Sequence, residues 1–237
     1  MKKSFSVLTV SKRHGWELMA FNSIDRQTEQ PAKWVIVHED IAKFLDNTKY
    51  TTLLDTASQV RLVQAPKQVR LSNLNASLNE GLRRIDTDYV IFYQDLIELQ
   101  EDCFDKLLNL VDEKTFVTTC TPNYDGSNDG RYTGIDCPRV CRPEEWEANV
   151  AIAPMHLIRS CGGFDDRLDN GWSWDNVLLA KKAAMLGAKF VIDEGNRPKL
   201  YPHEMSSHET LPKNGALCER ILKDVRSGKE PLNCNCL

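Results

Sequence analysis

The 237-residue sequence holds no apolar run approaching the ~18 residues that a membrane-spanning helix needs, so no membrane span is expected. It also lacks an excess of positive charge: 30 Lys and Arg face 34 Asp and Glu, a net charge of −4. No overall field therefore draws it to nucleic acid or an anionic bilayer. Glycine is sparse where a phosphate-binding loop would need it. The stretch SKRHGW after the first apolar run has only Gly15, which argues against a nucleotidyltransferase built on a glycine-rich basic loop. The cysteines, at 103, 120, 137, 141, 161, 218, 234 and 236, lack the paired spacing of a zinc site or a small disulfide scaffold. A metal gathered by Cys137, Cys141, Cys234 and Cys236 is the alternative to small hydrophobes packed in a core. The opening MKKSFSVLTVSKRHGW is broken by charge too early for a signal peptide, so a cytoplasmic protein with reduced thiols is expected. Internal repeats and low-complexity segments are absent as well.

What is present suits one globular domain, with 41% hydrophobic and 27% charged residues. Continuous apolar runs predict strands over residues 5–10, 34–37, 60–64, 89–93, 150–153 and 189–193. Apolar residues every three or four positions predict helices over 16–24, 72–84, 103–111 and 176–186. Alternation of this kind predicts an α/β fold with a mostly parallel central sheet flanked by helices. Ligands of such sheets sit outside the carboxyl ends of the strands, and three of those ends read SKR, HED and QDL. Residues 121–142, rich in Gly, Pro, Asn and Asp, are too long for an ordinary connection and form a candidate binding loop or lid. In it Arg131, Arg139 and Arg142 either close over an anionic ligand or are solvated charges. Beyond Glu194 the sequence turns polar and irregular.

Three blocks then resemble the family 2 type of inverting glycosyltransferases with the GT-A fold. SVLTVSKRHGWELMAFNSIDRQTEQPAKWVIVHED is similar to that family's first strand, helix and second strand. LNASLNEGLRRIDTDYVIFYQDL is similar to its helix with an NxG pattern, here Asn79 and Gly81, leading to an acidic strand end. GGFDDRLDNGWSWDNVLLAKKAAMLGAKFVID is similar to its GGFDE turn and GWGxED motif. The resemblance implies a single GT-A-like domain of three parts. Residues 1–120 would hold the nucleotide sugar, 121–205 the acceptor and catalytic groups, and 206–237 a C-terminal extension.

It further implies transfer of a hexosyl or pentosyl group from a nucleotide sugar, a UDP-sugar first among them, to an acceptor hydroxyl. The acceptor is a glycan, a small molecule or a modified DNA base. Thr9, Ser11 and Arg13 after the first strand, and Glu39 and Asp40 after the second, stand where the family holds base and ribose. The bland alternative for Asp40 is a solvated acidic turn. Gln94 and Asp95 stand in the metal-binding DxD motif, whose outer acidic positions here are Gln94 and Leu96. Mn²⁺ or Mg²⁺ on Asp95 with His203, or with His208 as alternate, is thus a weak or dispensable cofactor. Asp175 and Asn176 occupy the base motif, and since a carboxamide accepts no proton at neutral pH, Asp175 is the expected base. Its other role is to cap the helix after it. Gly162 and Gly163 leave room for an acceptor, Asp165 and Asp166 shape the turn, and Trp172 and Trp174 form either a platform for a sugar ring or part of the core. The departures at Gln94, Leu96 and Asn176 leave a nucleotide-sugar or carbohydrate-binding module with a decayed active site as the alternative.

Overall fold

The computed structural model describes residues 2–41, 60–66, 74–120, 132–170, 174–201, 214–233 and 236–237. Strands β1 (Phe5–Ser11), β2 (Lys33–His38), β3 (Val60–Gln64) and β4 (Tyr89–Tyr93) form where near-continuous apolar runs can be buried on both faces. They lie side by side, β3-β2-β1-β4, and all run parallel. The short β5 (Ile97–Glu98) belongs to a separate ribbon, described below. The sheet continues through β8 (Val150–Pro154), β6 (Thr115–Thr119), β9 (Lys189–Asp193) and β7 (Pro138–Val140). β8 runs antiparallel to both β4 and β6, β6 and β9 are parallel, and β7 closes the edge antiparallel to β9. The result is α/β, with parallel pairing interrupted at β8 and at the β7 edge.

Alternate residues of each strand serve two cores, one on each face. Phe5, Val7, Trp34, Ile36, Tyr89 and Ile91 point to the side covered by helices α1 (Glu17–Asp25) and α3 (Cys103–Leu110). Leu8, Val35, Val37, Val90 and Phe92 point to the side of α2 (Leu74–Leu82), α4 (Met155–Ser160) and α5 (Asp175–Met185). Strand β6 is absent from the expected set because only two of the five residues of TFVTT are apolar. The sheet buries it all the same, Phe116 and Val117 fully.

Two further expectations change. The chain past Glu194 is ordered in part: β10 (Lys199–Leu200) pairs antiparallel with β5, and α6 (Gly215–Arg226) sets Cys218, Ile221 and Leu222 against Leu168 and Leu178. In residues 121–142, those numbered 121–131 lie outside the described residues. The remainder carries β7 rather than a free loop.

The NxG pattern has a packing explanation. A Cβ at Gly81 would lie 2.3 Å from Leu8 Cδ1 and 3.0 Å from Val37 Cγ2, so α2 approaches the sheet as closely as glycine permits. Asn79 accepts from the Phe164 N–H (2.9 Å) and donates to the Phe164 carbonyl (2.7 Å) and to Asp166 (2.7 Å). Asp169 receives the N–H groups of Asn75 (2.7 Å) and Ala76 (3.0 Å), a distant carboxylate that satisfies the open amino end of α2. On an exposed helix, replacing glycine by a residue with a side chain raises stability. Here Gly81→Val is expected to lower it by about 1–3 kcal/mol through overpacking, measured as an earlier midpoint in urea unfolding with an unchanged slope.

Candidate active site

The carboxyl ends of β1, β2 and β4 lie next to one another, and their polar residues are in contact. Asp95, buried at the end of β4, accepts from Ser11 Oγ (2.6 Å) and from Arg13 Nη1 on both oxygens (3.0 and 3.1 Å). Arg13 is in turn held by its backbone. Its N–H donates to Ser11 Oγ (3.0 Å), and its carbonyl accepts from the Trp16 indole (3.0 Å) and meets His38 Nε2 (2.9 Å). His38 is fully buried, and its Nδ1 accepts the Asp40 N–H (3.0 Å). Nε2 therefore carries the ring proton and donates it to Arg13. The His14 ring lies 4.7 Å from that of His38. Ser11, Arg13 and Asp95 are thus brought together, and His38 links Arg13 to the backbone of Asp40. Glu39 and Gln94 are exposed at the same edge.

Thr9 is one strand turn away from this group. It is fully buried, and its hydroxyl accepts the Trp34 indole N–H at 3.0 Å, so it belongs to the core rather than to the donor-binding set.

Because β8 runs the other way, its beginning reaches the same edge: Tyr93 lies opposite Val150, and the Gln94 N–H donates to the Asn149 carbonyl at 2.8 Å. This delivers Glu147. Its backbone is fixed by Thr118 Oγ1, which donates to its carbonyl (2.7 Å), and by the neighbouring Trp146, fully buried edge-on to Phe92 and Phe116. Its carboxylate accepts from Asn176 Nδ2 at 2.9 Å. Sequence reasoning passed over Glu147; an acidic residue shortly before an apolar strand is a signal only once that strand's direction is known.

Helix α5 begins one residue earlier than expected. Trp174 takes the capping position, without a side-chain cap, and Asp175 is the first helical residue instead of the cap. Burial, and then repulsion from Glu147, push the Asp175 carboxyl up to about 6 from an ordinary 3.8. Trp174 packs on Gly215 and against the Leu168, Leu178 and Ile221 cluster, the core role of its two alternatives. Trp172, Arg131, His203 and His208 lie outside the described residues.

Gly162 and Gly163 are also part of the packing. Both are buried with φ of 79°, and a Cβ at Gly163 would lie 2.4 Å from Asn79 Oδ1. At Gly163 that space is filled by the carboxamide of Asn79. Asp165 is fixed between Arg167 (2.7 Å) and buried Lys182 (3.5 Å); burial opposes its charge, but these cations keep the carboxyl below its ordinary value. Arg139 is no lid: it pairs with buried Glu194 (2.5 Å) and with Glu145 (3.3 Å), joining β7 to β9. Arg142 is exposed and holds Glu145 at 3.1 Å.

Among the described residues only Leu96 (φ 61°) and Trp174 (φ 76°) combine a side chain with left-handed backbone. One adjoins Asp95 and the other Asp175. Such strain persists only where surrounding structure imposes it, and it concentrates at functional sites. Leu96 turns into the core around β4 and not toward Asp95. For Mn²⁺ or Mg²⁺ the set is a poor fit. These ions need free carboxylate oxygens, both Asp95 oxygens are engaged, and no three potential ligands among His, Cys, Asp and Glu converge among the described residues.

Neither a protein-family model nor a curated protein sequence matches this chain. Solved structures do. GalNAc-T7 with UDP, GalNAc and Mn²⁺ superposes with a TM-score of 0.66 at 13% identity, over 85% of this chain and 44% of its own. S. aureus TarS 1–349 superposes at 0.65 with 14% identity, over 83% of this chain and 60% of that one. Its complex with UDP gives 0.61 and 14%, over 84% and 61%. The fold is GT-A. This chain spans less than two thirds of each of these neighbours, and none of its helices, among the described residues, is long and apolar enough to cross a membrane. In a GT-A sheet of this order, the Asp95 cluster and the Glu147–Asp175 pair occupy the carboxyl edge of the parallel strands.

The raised pKa of Asp175 bears on stability. An acid whose folded value lies above its ordinary one takes up protons on folding, so its contribution is largest below about pH 4 and is lost as pH rises through about 6. Asp175→Asn removes the cost of the buried charge. The variant is expected to be more stable than the parent at pH 8, on the order of 1–2 kcal/mol, with the difference gone by about pH 4 in thermal melts.

Proposed function

We propose that this protein transfers a glycosyl group from a nucleoside-diphosphate sugar, a UDP-sugar first among them, to an acceptor hydroxyl with inversion. The observation that carries the reading is the pairing of strain with acidity at one sheet edge. The described residues with a side chain and left-handed backbone flank Asp95 and Asp175, and Asp175 titrates near neutral pH. A base poised there takes the proton of the acceptor hydroxyl while the oxygen attacks the anomeric carbon. The bond from that carbon to the diphosphate oxygen breaks, and the nucleoside diphosphate leaves.

Residues 1–120 form the donor half in this reading and 121–205 the acceptor half. Ser11, Arg13, Asp40 and Asp95, with Glu39 and Gln94 on the rim, receive the nucleotide. The fold neighbours crystallised with UDP support a nucleotide ligand, and one of them was crystallised with Mn²⁺. The acceptor is a glycan, a small molecule or a modified DNA base, met in the cytoplasm. Thiols held deep in the fold, such as Cys103, pushed up to about 12 by burial, suit a reducing compartment.

Glu147 is a positioning residue in this scheme. Its negative charge, held by Asn176, keeps the proton affinity of Asp175 high enough for base catalysis. Asn176 thus serves the base without being one.

The test is release of free nucleoside diphosphate from UDP-, GDP-, CMP- and TDP-sugars, with CMP released in the CMP case. Release of pyrophosphate from a nucleoside triphosphate supplied with a sugar 1-phosphate would instead indicate a nucleotidyltransferase, and no release from either substrate set a binding module. With an active donor in hand, kcat/KM is expected to rise with pH through about 6 and then level, because the base works deprotonated. Asp175→Asn should lower turnover by ~10²–10⁴-fold with donor affinity retained, and near-normal turnover would remove Asp175 from the mechanism. Glu147→Gln, which deletes the neighbouring charge, is expected to move the rising limb of that profile to lower pH. A purely structural role for Glu147 would leave the limb in place.

A further inference from the structure

The strand end that carries metal in the resembled family is built differently here, and the difference follows one pattern. Of Gln94, Asp95 and Leu96, the first is exposed with its N–H spent on Asn149, and the last turns into the core on a left-handed backbone. Asp95 is left alone. Its side chain is 3% exposed, and its oxygens are taken by Ser11 and by the guanidinium of Arg13. A divalent ion at Asp95 would have to displace an arginine, and the two positive charges would repel each other at contact distance.

Arg13 is placed as a ligand-binding cation would be. Its side chain is 30% exposed, facing out of the edge at which Asp95 is closed off. Nη1 is committed to Asp95, while Nε and Nη2 have no protein partner among the described residues. Its backbone is pinned by Ser11, Trp16 and His38, and His38 is itself set by Asp40, so the cation is positioned before any ligand arrives. A planar fork with free N–H groups suits phosphate oxygens bidentately.

We propose that the Arg13 guanidinium, seated on Asp95, replaces the divalent cation of this donor site and binds the diphosphate of the nucleotide directly. The proposal rests on the glycosyltransferase reading above and specifies how the leaving diphosphate is held. Asp95 acts on Arg13, not on a metal, and Ser11 serves both.

The experiment is calorimetric titration with UDP, and in parallel with uridine, each in EDTA and in excess MnCl₂. For the parent protein the UDP affinity is expected to differ by less than about twofold between the two conditions. Arg13→Gln should weaken UDP by about 10–100-fold and leave uridine binding unchanged, since only the phosphate contact is lost. Arg13→Lys keeps the charge without the fork and should fall between. It carries the same comparison if the glutamine variant does not fold, as judged by its melting curve. UDP binding that requires Mn²⁺, or an Arg13 variant that binds UDP as tightly as the parent, overturns the proposal while leaving the transferase reading intact. A parent protein that binds none of UDP, GDP, CDP and TDP overturns both.

Discussion

The site depends on the direction of one strand. A sheet of uniformly parallel strands presents only carboxyl ends along its ligand-binding edge, and each contributes a loop that leaves the sheet. Strand β8, inserted antiparallel between β4 and β6, presents its beginning there instead. The chain that runs into β8 is fixed by buried Trp146 and by the Thr118 bond to Glu147 before it reaches the edge. Glu147 therefore sits in the short connection before β8, fixed beside the carboxyl end of β4. The start of α5 meets it there, through Asn176.

The two sides of the site differ in electrostatic character. Around Asp95 the buried carboxylate has Arg13 as its partner, and the buried imidazole of His38 is fixed by two hydrogen bonds. Around Asp175, burial together with repulsion from Glu147 strengthens the carboxyl's hold on its proton. One side suits a ligand that arrives charged and leaves charged. The other suits an uncharged hydroxyl that has to lose a proton.

Much of this was legible in the sequence, for identifiable reasons. β1, β2 and β4 read plainly because both faces are buried and their apolar runs are unbroken, and their polar ends SKR, HED and QDL mark the edge at which the resemblance then pointed to Ser11, Arg13, Asp40 and Asp95. Asp175 came instead from the resemblance of GWSWDN to the family's base motif. The misses have a common cause, in that local sequence does not say which partner a polar group will find. Thr9 looks like a strand-end hydroxyl, yet Trp34, twenty-five positions on, takes it into the core. Arg139 looks like a loop cation, yet Glu194, just past the end of the neighbouring strand β9, pairs with it. Glu147 required the direction of β8, which residues 150–153 do not encode by themselves. The last helix was hidden by the polar stretch before it, although Cys218, Ile221 and Leu222 carry the helical spacing.

The clamp between α2 and the glycine turn also bears on how such a chain can change over generations. The carboxamide of Asn79 fills the space that a side chain at Gly163 would need, and it satisfies both backbone groups of Phe164. A larger residue at 163 would drive Asn79 out, and a residue at 79 without its donor and acceptor would leave Phe164 with two buried, unsatisfied groups. Neither position can drift unless the other moves with it. Two short motifs that lie far apart along the chain are thus a single heritable unit, and a descendant that has lost one is expected to have rebuilt the other.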